Sequence, residues 1–132
     1  MTDESLRLGS IGQIARVVRD VKQAEAWYRD VLRLTHLFTY GDLAFFDCDG
    51  TRLFLTQPEG GGEPGEQQCV YFKVDDIQAA YAELQGRGVV FVGAPHLIFR
   101  HPSGMEEWMA FFRDPDGSLL AIMSQVETEA VS

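Results

Sequence analysis

Apolar residues change spacing along this chain in a way that repeats. In residues 70–74, Val70, Phe72 and Val74 fall on one side of an extended strand, and Cys69, Tyr71 and Lys73 on the other. After Asp76 the spacing becomes helical, with Ile77, Ala80, Tyr81 and Leu84 on one face. The same switch occurs earlier. Ile14 and Val18 share a strand face, Asp20 follows, and Val21, Ala24, Tyr28 and Val31 recur at helical spacing. Asp20 is placed to cap the first helix, with Gln23 three residues on completing a capping-box pattern. Gly88 suits the end of the second helix. Aligning Gln13 with Cys69 superposes Val18 on Val74, Asp20 on Asp76 and Ala24 on Ala80.

Short apolar runs separated by turns follow each helix. In the first half they are 36–40, 43–48 and 51–57, with Asp49-Gly50 as a hairpin turn. In the second they are 89–93, 107–114 and 118–124, with Asp116-Gly117 at the hairpin. Residues 96–100 suit a strand or a covering loop. The plan is α+β: βαβββ written twice within a single domain of residues 1–132. Module 1 covers about 8–58 and module 2 about 68–126. A Gly/Glu-rich connector, 59–67, reads as flexible. One such unit leaves a sheet face bare, so two must combine. Arg16 breaks the apolar face of its strand. Its guanidinium must reach an edge or find a carboxylate.

Charge narrows the possible partners. The formal net charge is −9. No basic patch is available for nucleic acid, and anionic membrane surfaces are disfavoured. No apolar run is long enough to span a bilayer, and the polar N-terminal stretch lacks a signal-peptide core. Cys48 and Cys69 form neither a CxxC pair nor a disulfide framework. Free thiols in a cytoplasmic setting are expected.

Three phrases in order carry a family resemblance: IGQIARVVRDVKQAEAWYRDVLRL (11–34), VYFKVDDIQAAYAELQGRGVVF (70–91) and FFRDPDGSLLAIM (111–123). The chain resembles the vicinal oxygen chelate superfamily, which includes glyoxalase I, extradiol dioxygenases and bleomycin or fosfomycin resistance proteins. The resemblance implies two tandem βαβββ modules forming a curved, partly open eight-stranded mixed sheet around a cleft, and a homodimer. It also implies a divalent metal, held from the first and last strand of each module. Those positions are here Gln13, Phe54, Cys69 and Ala121, where family members commonly carry His, Gln or Glu. Two weak ligands, an amide and a thiol, do not hold a divalent ion against water. No metal cofactor is therefore expected. A second departure is Leu32-Arg33-Leu34, where the family usually has glycine in the middle. A glycine there tolerates positive φ, whereas arginine adopts it only at a cost.

The ligand-binding cleft expected from these positions contains Gln13, Phe54, Cys69, Tyr71, His96, Arg100, Trp108 and Ala121. Phe45, Phe54 and Tyr71 offer an aromatic wall for planar ligands. Arg100 can capture a carboxylate or phosphate, and His96 can act as acid or base. Trp108 alternates with Ala110 and Phe112, and so serves equally as core. Gly104 offers a hinge. His101 is expected in an exposed turn, and Asp114 and Asp116 in turn formation. The function expected is metal-independent binding of a small, partly apolar molecule. The alternatives are a metal-dependent lyase, isomerase or dioxygenase with atypical ligands (Gln13 and Cys69 joined by His96), and an interaction domain with no small ligand.

Overall fold

The computed structural model describes residues 5–130. The order is β1 (Gln13–Val17), α1 (Val21–Asp30), β2 (Thr35–Tyr40), β3 (Leu43–Cys48), β4 (Thr51–Thr56), β5 (Val70–Lys73), α2 (Ile77–Gly86), β6 (His96–Arg100), β7 (Met105–Arg113) and β8 (Leu119–Glu127). The outermost ends of the expected domain, 1–4 and 131–132, lie outside the described residues.

Each helix starts where its aspartate accepts backbone N–H groups. Asp20 takes those of Lys22 and Gln23, and Asp76 takes that of Ala79. The Asp49-Gly50 hairpin has positive φ at both residues, the primed turn that matches strand twist. Arg33 has φ 58 and occupies the left-handed region in which glycine is more at ease.

The eight strands divide into two four-stranded sheets, ordered β1-β4-β3-β2 and β5-β8-β7-β6. In each, the first strand of the module pairs in parallel with the last. Two tandem βαβββ modules are thus present, curved but not closed, with β1 and β5 each pairing on one side only. The ambiguous segment 96–100 is the strand β6. Residues 89–93, expected as a strand, make a single bridge between Phe91 and Phe112, with Val90 and Val92 facing solvent. Only Val89 and Phe91 turn inward, and the run is too short to build a ladder.

The modules meet through their helix sides. One apolar core takes Val18, Tyr28, Phe46 and Leu55 from the first and Ile77, Ala110, Phe112 and Leu120 from the second. Buried polar groups tie the halves within it. Arg16, 1% exposed, donates to the carbonyls of Gln68 at 2.8 Å and Leu119 at 2.6 Å, and its Nε lies 3.8 Å from Asp114 Oδ2. That same oxygen accepts from the Tyr28 hydroxyl at 2.8 Å. Burial, then the Asp114 charge, pushes the Tyr28 phenol well above its ordinary range. Of the two routes open to Arg16, it takes the carboxylate and carbonyls and not an edge. Asp114 does form its turn, through the amides of Asp116 and Ser118, and also links the modules. The connector is anchored at its end: Gln67 bonds both the N–H and the C=O of Val17.

Candidate functional site

Because the core faces are used to join the modules, the opposite face of each sheet is left outward. On the first sheet, alternation places Gln13 and Ala15 of β1, Arg52 and Phe54 of β4, and Phe45 and Asp47 of β3 on that outer face. A β-bulge between His36 and Phe38 resets the phase of β2. His36 thus packs on Phe46 of the core face, whereas Phe38 turns outward beside Phe45. Three rings then stack in a row. Phe38 and Phe45 lie 4.5 Å apart, and Phe45 and Phe54 lie 5.5 Å apart, with interplanar angles of 23° and 22°. The Arg52 guanidinium sits 5.1 Å from the Phe45 centroid and donates to Gln13 Oε1 at 3.2 Å.

The outer face of the second sheet follows the same register with different side chains. Ala121 is fully buried between its cross-strand neighbours Tyr71 and Phe111. Those rings meet edge to face at 5.9 Å, and His96 lies 6.1 Å from Phe111. Farther along, Glu107 bonds His101 Nε2 at 2.8 Å and accepts from Gln125 at 3.0 Å. These bonds, the histidine's first, hold the Glu107 carboxyl below its usual range. The turn expected at His101 is present, and its partly exposed ring also bonds Glu107.

Arg100 and Trp108 lie on the helix-side face of the second sheet, both bonded to Glu106. Glu106 is 5% exposed and shares the core face with Ala110 and Phe112. Arg100 pairs with it across the strands, donating from Nε at 2.7 Å, and Trp108 donates to it at 3.0 Å. Strand alternation puts both on the face of Glu106, where Trp108 is part-buried and Arg100 remains half exposed. Gly104, expected as a hinge, is packed closely: a Cβ there would run into the Thr128 carbonyl oxygen, and the Thr128 N–H bonds back to the Gly104 carbonyl. Arg52 went unnoticed in the sequence because its role depends on the stacked rings beside it. The bulge that aligns Phe38 has no local signature.

The four corner positions divide between the sheets, Gln13 and Phe54 on the first, Cys69 and Ala121 on the second. They do not suit a divalent ion. The Gln13 oxygen is occupied by Arg52, burial pushes the Cys69 thiol up, and phenyl and methyl groups fill the others. His96, expected to join Gln13 and Cys69 in the alternative trio, packs its ring on Phe111. Among the described residues no three His, Cys, Asp or Glu side chains gather at metal-binding distance. A groove of about 590 Å³ also opens between the modules on their core side, with Ile14, Leu53, Val70 and Phe72 in its walls. Its Arg87 is already engaged, by the Val31 carbonyl and Glu83.

Paired βαβββ modules with these altered corners define the class. Residues 10–122 match the model of the Glyoxalase/Bleomycin resistance protein/Dioxygenase superfamily, and the chain belongs to that family. It is 32% identical over 127 residues to the uncharacterized protein YraH of Bacillus subtilis (strain 168), covering 83% of this chain and 94% of that one. Among solved structures, a glyoxalase/bleomycin resistance protein/dioxygenase from Nocardioides superposes with a TM-score of 0.73 at 19% identity, over 98% of this chain and 91% of that one. A lactoylglutathione lyase from Agrobacterium tumefaciens does so at 0.68 and 23% identity, over 89% and 95%. At these identities the two structures share the fold.

Proposed function

We propose that this protein is a metal-independent, cytoplasmic small-molecule-binding member of its superfamily, holding its ligand against an aromatic sheet face. The observation that carries this reading is the Phe38–Phe45–Phe54 stack. It is left partly open to solvent, with Phe38 46% exposed, beside a polar pair, Gln13 and Arg52. Such rings bury apolar area at little entropic cost and grip flat molecules by offset stacking.

A homodimer is part of the proposal. The outer faces leave Phe38, Tyr71 and Phe99 each more than 40% exposed, and Leu97 and Ile98 beside Phe99 are exposed as well, apolar surface that a partner can cover. A second copy laid face to face turns two open faces into one cleft. The metal-dependent lyase, isomerase or dioxygenase alternative has no donor set to support it.

Thermal unfolding with a panel of planar aromatic and acidic compounds tests the reading. A ligand present at about a hundred times its Kd adds about 2.7 kcal/mol of stability, a shift of several degrees. Such a shift is expected from flat aromatics, and a panel with no shift contradicts the reading. Sedimentation velocity at micromolar concentration is expected to give a dimer; a monomer at all concentrations contradicts that part.

A further inference from the structure

We propose that the first sheet's outer face is built for a planar aromatic anion, with Arg52 as its charge anchor. This rests on the aromatic-binding reading above and adds the chemistry of the ligand.

The charge pattern of the face carries it. Its strand positions are apolar or neutral apart from Arg52 and Asp47. Asp47 is the cross-strand neighbour of Arg52, yet its Oδ1 accepts the Gly50 amide at 3.0 Å, closing the hairpin. No carboxylate among the described residues lies within ion-pair distance of Arg52. His101 of the second sheet is held by Glu107, whereas Lys73 and Arg113 also have no ion-pair partner among the described residues; what sets Arg52 apart is that its guanidinium packs on a ring.

The geometry fits the charge. Packing on Phe45 holds the guanidinium, and Gln13 takes one of its N–H groups, so the remaining donors are presented from a fixed position. A flat ring laid on the Phe45–Phe54 stack brings a carboxylate on its edge to those donors. Fork-shaped donor sets pair best with planar oxyanions, and a bond to a charged acceptor is about twice as strong as a neutral one. A cation on the same ring meets Arg52 and is repelled.

The experiment uses the full-length protein and three probes that share one ring system: naphthoate, its neutral methyl ester and naphthylmethylammonium. Calorimetric titration is expected to rank naphthoate first, about tenfold or more tighter than the ester, with the cation weakest. Arg52→Gln is expected to abolish that ranking, leaving naphthoate and ester alike. Phe45→Ala is expected to weaken all three. Asp47→Asn removes the nearby negative charge and is expected to tighten naphthoate severalfold. Equal affinity for the three probes, or an unchanged ranking in Arg52→Gln, overturns the anion proposal while leaving aromatic binding intact. Loss of naphthoate in Arg52→Gln with no effect of Phe45→Ala places the anion in the intermodule groove and overturns the assignment to this face. If none of the three binds, the broader reading falls with it.

Discussion

The outer faces of the two sheets are built on one register and carry opposite chemistry. Where the first has Ala15 beside Phe54, the second has Tyr71 beside Ala121, with the large and small side chains exchanged between strands. Phe45 and Phe111 occupy matching places next to them. Each sheet has a bulge in its edge strand, between His36 and Phe38 and between Leu97 and Phe99. After the first bulge, Phe38 joins a ring stack. After the second, Phe99 faces Glu107, whose charge is already taken by His101 and Gln125. The first face thus ends in an unpaired guanidinium and the second in a closed polar network. The repeated frame is common to both, and a few differences in side chain separate a face with a ring-packed arginine from one where Glu107 is bonded by His101 and Gln125.

That contrast depends on the modules being joined by their core faces, which gives the largest expected effect. Arg16→Met removes one charge of the buried link and leaves Asp114 without its cation. A loss of about 3–5 kcal/mol is expected in urea unfolding. A loss below about 1 kcal/mol would mean that the link does not hold the halves together.

The faces themselves are separated by a matched pair of truncations. Phe45→Ala is expected to weaken binding of naphthoate by roughly 1.5 kcal/mol, about tenfold, and Phe111→Ala by much less. Equal losses would show that both faces grip the ligand within one cleft.

Acid stability probes the second sheet. The Trp108 indole N–H and then Arg100 hold the Glu106 carboxyl below its ordinary range, and His101 and Gln125 do the same for Glu107. A carboxylate lowered on folding stabilises the native state above its unfolded pKa, and that contribution fades as pH falls through the folded value. Stability is therefore expected to decline as pH drops below roughly 4.3, the ordinary glutamate value. Glu106→Gln should make the decline shallower; an unchanged slope counts against this pairing.

The smallest effect is expected at Arg33, a left-handed position that costs an ordinary residue roughly 1–2 kcal/mol. Arg33→Gly relieves that strain but loosens the unfolded chain, so a net gain of about 0.5–1 kcal/mol is expected in the same urea experiment.

The frame was legible in the chain because it is local. Asp20 and Asp76 announce the helices, and strand alternation sorts Val70, Phe72 and Val74 from Tyr71 and Lys73. The strained Leu32-Arg33-Leu34 turn was also readable, since one residue type decides it. The site was legible only in part. Gln13 and Tyr71 could be assigned to a strand face by period-two counting, whereas Phe54 and Ala121 came from the family resemblance. The bonds of Arg100 and Trp108 to Glu106 were not legible, because a polar residue beside an aromatic looks the same in sequence whether it faces a ligand or caps a buried glutamate. Arg52 and Phe38 were missed for a different reason. One takes its meaning from a ring on a neighbouring strand, and the other from a bulge that shifts the count by one.

The central claim is that this face binds its ligand without a metal. Titrating naphthoate into the protein before and after exhaustive chelation tests it most directly. The account predicts the same affinity and stoichiometry in both. Loss of binding on chelation, restored by adding back a divalent ion, would contradict it.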